Sequence, residues 1–531
     1  MKICNPLFRA DMPDPDIIRV DNDFYMVSTT MYYMPAAPIL KSRDLQHWQI
    51  VSYVCRNIAD NDIYHLKNGR HAYGKGQWAT SLMQYKGRFY ACFVCHDMGK
   101  TYLFSTDDIE KSDWNRVELG AVYHDMSFLC WEDKVYLVYG NGEIRIVELK
   151  EDFSGVVEGS DRLLLATPGD GLRLRCEGCR AYVKDGRIYL LFIDWPDDTP
   201  KKRGIRREVC YRLSDLSGEY ERKTILYDDM WIPGCGIAQG AIFDDADGNW
   251  YAVMFQDSGA VGRVPFLMPV EWKDGWPVLG TDGKVPESFE VPFEKKETEE
   301  IIQSDRFDHK ENVLKNVWQW NHAPNNDAWS FTKRPGFLRL ENQKPVQDLF
   351  EAENTLTQRT RAPYSEFVVR LDCDGMKDGD FAGLCVLVEK YGQIGVRQRE
   401  GMRDLVLKYR DGERAPYDVV CREGIFGLKS WYSLKEKTIP LKTNTVWLKV
   451  IFGFGGWGKG TELETARFFY STDGNDYHTL GDELPLFYSL SLFVGARIGI
   501  FSYNEENTVG GYADFCEFVY RDTDSSETIL S

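Results

Sequence analysis

Residues 80–93 read "TSLMQYKGRFYACF": an apolar run, a polar turn at Lys86-Gly87, and an aromatic-rich run containing Tyr90. Two β-prone runs separated by a glycine-bearing turn are the signature of a β-hairpin. The same unit recurs at residues 17–28 ("IIRVDNDFYMVS"), 127–140 ("SFLCWEDKVYLVYG"), 180–192 ("RAYVKDGRIYLLF") and 241–255 ("AIFDDADGNWYAVMF"). The shared tyrosines, Tyr25, Tyr90, Tyr136, Tyr189 and Tyr251, are 65, 46, 53 and 62 residues apart. Long helical periodicity is scarce. Five units at blade-sized spacing predict an all-β chain that begins with a five-bladed β-propeller.

The turn before the tyrosine reads as two lengths. Units two, four and five carry Gly87, Gly186 and Gly248 three residues before it, whereas units one and three lack that glycine. Stepping back twelve residues in the long class and eleven in the short class reaches Asp14, Trp78, Asp125, Glu177 and Gln239. The innermost strands of a propeller line its axis, so these five positions are expected to converge at one end of the central channel. Each Asp alone also suits a turn. Three acids, a tryptophan and a glutamine at one shared position point instead to a site, because gathered like charges are costly and concentrate where chemistry is done. Asp14 lies in "DMPDPD" (residues 11–16). A proline pushes the residue before it toward extended backbone, so Met12 and Asp14 are both predicted to be extended. Asp11 and Asp16 fall off the shared register and read as turn residues.

Composition narrows the classes. The 531 residues exceed one ordinary core and predict more than one domain. With 43% hydrophobic and 14% aromatic residues the chain folds, and a net charge of −18 argues against nucleic-acid or anionic-membrane partners. No run has the length of a membrane helix, and the first residues lack the pattern of a secretion signal, so a cytoplasmic location is expected. The thirteen cysteines suit reduced, buried thiols. Cys92/Cys95 and Cys176/Cys179 have the spacing of half a zinc site each, but they sit in strand-like runs without the accompanying glycines, and the core reading is favoured.

Three carboxylates could bind calcium, yet "DPDII" lacks the loop pattern of such sites and a tryptophan is no ligand. Glycoside hydrolysis uses the set better. One carboxylic acid protonates the leaving oxygen, one carboxylate activates water, and a third raises the pKa of the acid. Trp78 offers an apolar platform for a sugar face. The eight histidines show no clustering along the chain on which a histidine mechanism could stand.

The stretches "NPLFRADMPDPDIIRVDNDFYMVST" (5–29), "HDMSFLCWEDKVYLVYG" (124–140), "CEGCRAYVKDGRIYLLF" (176–192) and "GRVPFLMPVEWKDGWPVLG" (262–280) resemble segments of family 43 of the glycoside hydrolases. That resemblance implies Asp14 as general base, Asp125 as modulator of the acid, Glu177 as general acid and Arg263 as a binder of sugar hydroxyls. Many members carry a channel histidine, often holding calcium, where this chain has Gln239. The resemblance therefore implies no required metal and argues against an axial calcium ion.

Residues 291–303 form a charged, proline-bearing linker, and strands without the five-fold unit continue from Ser304 to the end, predicting an antiparallel β-sandwich over 304–531 after a propeller over 1–290. The segments at 304–340 and 510–520 resemble the concanavalin A-like domain (jelly roll) of β-xylosidases in that family, which lends a loop to close the pocket. A free-standing carbohydrate-binding module is the alternative. The reading implied is an inverting exo-glycosidase that releases terminal β-D-xylose or α-L-arabinofuranose from oligosaccharides. A non-catalytic sugar-binding propeller, or a hydrolase of another furanoside, remain the alternatives.

Overall fold

Each repeat unit folds as the first hairpin of a four-stranded antiparallel sheet. In the computed structural model, which describes residues 1–197, 204–455, 463–506 and 509–525, the five sheets begin at Asp16–Val20, Thr80–Tyr85, Ser127–Trp131, Leu172–Lys184 and Ala238–Asp244 and add their later strands in chain order. Alternation along a strand sends successive side chains to opposite faces. In Arg88–Cys95, Phe89, Ala91 and Phe93 pack with Val27 and Ile39 of the first blade, while Tyr90, Cys92 and Val94 pack with Met126 and Leu137 leading into and within the third. A strand covered on both faces needs apolar residues at nearly every position, which is what "RFYACFVC" supplies.

The same alternation decides the cysteine pairs. Cys92 and Cys95 lie on opposite faces of their strand, in separate cores, and cannot share an ion. Cys176 and Cys179 are both buried in the core between blades three and four, with Cys176 Sγ 3.5 Å from the Tyr211 hydroxyl. Burial pushes the thiols of all four up, away from the thiolate a metal needs.

The two-length turn is corrected by the register. Blades one to four all have two-residue turns, closed by Val20↔Asp23, Tyr85↔Arg88, Trp131↔Lys134 and Lys184↔Arg187. Lys86-Gly87, Glu132-Asp133 and Asp185-Gly186 each hold two residues at positive φ, the geometry that matches strand twist. Blade three does this without glycine. The extra residue of blades two and four lies instead between the shared axial position and the hairpin, in blade four as a bulge across Glu177/Arg180. Only blade five lengthens its turn, with Asp244↔Trp250.

Polar side chains near the axis stitch each blade to the next. Leu82 N donates to Asp16 Oδ2 (2.8 Å), Phe128 N to Ser81 Oγ (3.2 Å), Ala181 N to Ser127 Oγ (3.0 Å) and Ile242 N to the Tyr182 hydroxyl (2.9 Å). These bonds satisfy inner-strand amides that have no strand partner on the axial side. Asp16 is thus a structural acid. The ring is closed outside the blades, where Lys2–Cys4 pairs antiparallel with Ser288–Glu290.

The rest of the chain forms two packed eight-stranded antiparallel sheets. One runs from Ser433–Leu441 through Met402–Asp411, Gly392–Arg399, Asp380–Leu387, Arg497–Asn504 and Leu356–Arg359 to Gln319–Asn321, and its last strand is donated by the propeller. Tyr33–Met34 leaves the first blade and pairs with Gln319–Asn321, matching Met34 with Trp320 and Tyr33 with Asn321. One hydrophobic core then runs unbroken from Leu7, Ala10 and Met12 to Trp318, Trp320 and Leu356. Residues 291–303 carry no strand, and Lys296 N donates to Asp44 Oδ2. Residues 526–531, the end of the expected sandwich, lie outside the described residues.

Candidate active site

The five shared positions meet at one end of the axis, and their backbone is unusual. Asp14 (φ 53°), Asp125 (φ 48°) and Gln239 (φ 59°) are left-handed, and Glu177 is followed by Gly178 at φ 68°. Asp14 is therefore not extended as its following proline predicts. Left-handed backbone is tolerated better by Asp than by most residues and persists where surroundings over-determine it. Here they do. The Asp14 carbonyl accepts from Arg180 Nη2 (3.1 Å), the Pro13 carbonyl from Ser28 Oγ (2.8 Å) and Thr29 N (3.2 Å), and Met12 N donates to Arg263 O (3.0 Å).

Arg263 Nη1 lies 3.1 Å from both oxygens of the buried Asp14 carboxylate. The Arg263 guanidinium packs against the rings of Phe493 (4.7 Å) and Phe255 (5.4 Å). Its Nε and Nη2 are buried and have no hydrogen-bond partner among the described residues, so two donors beside Asp14 are open to a ligand. Arg263 is held through its own backbone as well, since its N donates to Asp11 Oδ1 (2.8 Å) while Gly495 N donates to Asp11 Oδ2 (3.0 Å). Asp11 is therefore more than a turn residue: it clamps the sandwich loop at 489–495 against the site.

On the other side of the axis, Gly178 N donates to Asp125 Oδ2 (3.1 Å), which ties the blade-four bulge to blade three. A side chain at Gly178 would place its Cβ 2.7 Å from Gln239 Cδ, so only glycine lets the amide reach Asp125. Gln239 N in turn donates to buried Glu208 (2.8 Å). Glu177 Oε2 is contacted by Asn141 Nδ2 (2.5 Å) and His124 Nε2 (3.3 Å), and His124 Nε2 is 3.7 Å from Asp125 Oδ2. The Asp125 charge, opposed by burial and helped by Glu177, pushes the His124 pKa up to about 9. Burial raises that of Asp125, and Glu177 adds to the rise, while His124 and Arg180 counter it.

Histidines do cluster here, contrary to their scatter along the chain: His96 Nε2 lies 3.1 Å from His124 Nδ1, and half-buried Trp78 packs on His96 (ring centroids 4.9 Å), His124 (6.0 Å) and Phe493 (5.4 Å). All six residues singled out in the sequence, Asp14, Trp78, Asp125, Glu177, Gln239 and Arg263, belong to this one connected set.

Residues 3–277 match the glycosyl hydrolases family 43, and residues 304–521 match the β-xylosidase C-terminal concanavalin A-like domain. The chain belongs to glycoside hydrolase family 43. Among its relatives, a β-xylosidase of Formosa agariphila is 25% identical over 97% of this chain and 90% of its own length. A non-reducing end α-L-arabinofuranosidase of Bacteroides ovatus is 24% identical over 79% of this chain and 80% of its own. A bifunctional protein of Bacteroides eggerthii combining a family 43 unit with a CE unit is 37% identical, with a TM-score of 0.88 over 98% of this chain; the chain spans 64% of that protein's length. An engineered family 43 enzyme described as displaying both endo-xylanase and exo-arabinofuranosidase activity is 28% identical, with a TM-score of 0.85 over 98% of this chain and 99% of its own.

Several residues of this family 43 site were not legible as such in the sequence. Arg180 is fully buried at the axis, donating to the carbonyls of Asp14 and Thr80 (3.1 Å each) and to that of Cys179 (2.8 Å), with its Nε 3.5 Å from Asp16. Its place three residues after Glu177, between Cys179 and Ala181, was the available signal. His124 directly precedes Asp125, which could have marked it. Phe493, brought in by the sandwich, left none. His124, Asp125 and Glu177 are also the group whose donor atoms all lie within 4.8 Å of one another, close enough to share a metal ion.

Proposed function

We propose that this family 43 hydrolase is an inverting exo-glycosidase that releases terminal pentose, β-D-xylose or α-L-arabinofuranose, from hemicellulose-derived oligosaccharides. The observation that carries the reading is that Asp14, on Arg263, and Glu177 with Asp125, beside His124, are linked at one end of the axis through the contacts of Phe493 with Arg263 and Trp78 and of Trp78 with His124. In this reading, Asp14 takes the proton of the attacking water while Glu177 protonates the leaving oxygen. Asp125 orients the acid through Gly178 and supplies a neighbouring negative charge. The free Arg263 donors bind sugar hydroxyls, and Trp78 backs a sugar face. Phe493 closes one side of the site, which favours attack on chain termini. The relatives that act on xylosides and arabinofuranosides support the substrate class.

No metal is required in this reading. A calcium ion on the axis among Asp14, Asp125 and Gln239 would meet the buried Arg180 guanidinium, which already supplies positive charge there. The thirteen free thiols suit a reducing, cytoplasmic compartment.

Incubation with aryl β-D-xylopyranoside and aryl α-L-arabinofuranoside tests the substrate class, and NMR of the first-formed anomer tests the stereochemistry. Release of the aryl group with inverted configuration is expected. Sugar binding without release from either substrate would convert the protein into a sugar-binding propeller, and a retained anomer would refute the roles given to Asp14 and Glu177.

A further inference from the structure

We propose that His124 Nε2, Asp125 Oδ2 and Glu177 Oε2 form a binding site for a divalent transition-metal ion of the zinc class, and that occupancy switches hydrolysis off. The inhibitory half of this inference rests on the acid role of Glu177 proposed above; the binding half does not.

Three acceptor atoms converge on one point. His124 Nε2 is 3.3 Å from Glu177 Oε2 and 3.7 Å from Asp125 Oδ2, and the three residues each offer a ligand atom within 4.8 Å of the other two. An imidazole nitrogen facing two carboxylates either donates a proton to them or, deprotonated, joins them around a cation. A zinc ion bound at about 2.0–2.2 Å in tetrahedral geometry sets its ligands ~3.3–3.6 Å apart. The two histidine–carboxylate separations, 3.3 and 3.7 Å, match that edge length, and the third, bounded at 4.8 Å, leaves the carboxylates only to close toward each other. The exchange is redox-neutral: one metal ion enters, the proton on His124 Nε2 leaves, and in the acid-loaded enzyme the proton on Glu177 leaves with it.

The donor set discriminates among ions. One imidazole and two carboxylates suit zinc and its neighbours, whereas calcium seeks six to eight oxygens and magnesium keeps most of its waters. Each ligand already has the outer partner that such sites use to fix ligand orientation. His124 Nδ1 faces His96 Nε2 (3.1 Å), Gly178 N donates to Asp125 Oδ2 (3.1 Å), and Asn141 Nδ2 donates to Glu177 Oε2 (2.5 Å). Access is open, because the side chains of His124 and Glu177 are 24% and 21% exposed. The fourth position faces solvent and would hold water. With Glu177 Oε2 on the metal, the acid can no longer carry the proton destined for the leaving oxygen.

The test is titration of chelator-treated protein with Co²⁺, a spectroscopic stand-in for Zn²⁺, followed by Zn²⁺ displacement. The strong visible bands of four-coordinate Co²⁺ are expected at one equivalent and are expected to be bleached by Zn²⁺. His124→Gln and Glu177→Gln should each weaken binding at least tenfold, and His96→Ala about 10–100-fold, as outer-partner losses do. A variant with the exposed thiols replaced, Cys4→Ser, Cys130→Ser and Cys421→Ser, should bind unchanged. Absence of the bands, or equal binding by the two ligand variants, would overturn the site. In parallel, Zn²⁺ should inhibit aryl-pentoside hydrolysis with the same affinity by which it displaces Co²⁺. Binding without inhibition in an active enzyme would overturn the switch. An enzyme that binds Co²⁺ but hydrolyses neither pentoside would instead overturn the catalytic reading and leave the site standing.

Discussion

Single residues carry the chemistry, and their environments give distinct tests. Asp14 is buried, bound to Arg263 and locked in left-handed backbone by contacts to its neighbours' carbonyls, so Asp14→Asn should fold normally. With Asp14 in the base role proposed above, its loss lowers the rate by about 10²–10⁴-fold, and kcat should fall by that amount in protein that still folds. Behind the site, burial pushes the Glu208 carboxyl up to about 8, opposed by the Gln239 amide and Arg180. The folded protein thus holds a proton that the unfolded chain releases at an ordinary glutamate pKa. Stability from this group is complete below that ordinary value and declines as pH rises toward about 8. Glu208→Gln should therefore stabilise the protein by about 2–4 kcal/mol at pH 8 and by nearly nothing at pH 4, measured by urea unfolding at both. At this scale the sequence was generous with the acids, because a repeat marks equivalent positions. It only hinted at His124 and Arg180, whose importance comes from what they face across the axis.

At the scale of strands and turns, the repeat placed every hairpin, and the five paired tyrosines fall at matching register. It misassigned the one-residue difference between blades, since a bulge in the strand and a longer turn change the count identically. Only hydrogen-bond partners separate them. The blade-four bulge is the functional one, because it turns the Gly178 amide toward Asp125 and lets Glu177 reach His124 and Asn141. Gly178→Ala meets Gln239 Cδ at 2.7 Å and a left-handed φ that a side chain resists. It should cost about 1–3 kcal/mol of stability and, with the roles proposed above, lower kcat more than it raises KM, because it displaces Glu177 and Asp125 rather than Trp78 and Arg263. A loss confined to KM would argue against the bulge as the acid's positioning element.

Across the whole molecule, the composition change near residue 300 marked two folds but gave no sign that they share a sheet. Tyr33–Met34 lies in the first repeat and completes a sheet of the sandwich nearly three hundred residues later. Two residues are too few to carry a periodic signal, and their partner is fixed only by the packed structure. Asp11, bridging Arg263 and Gly495, joins the domains a second time beside the site. The sandwich reaches the site through Phe493, which rests on Trp78 and on the Arg263 guanidinium. Phe493→Ala should leave the sheets intact and remove the ring that rests on Trp78 and Arg263, so KM for short oligosaccharides should rise about tenfold, the effect of roughly 1.4 kcal/mol of lost contact, with kcat little changed. Removal of the whole sandwich is a different experiment. A chain ending at residue 303 would expose the unpaired Tyr33–Met34 strand and half of a continuous core, and it should aggregate on expression rather than yield a weakened enzyme. A soluble, active propeller from that truncation would mean that the shared sheet is an attachment and not part of the fold.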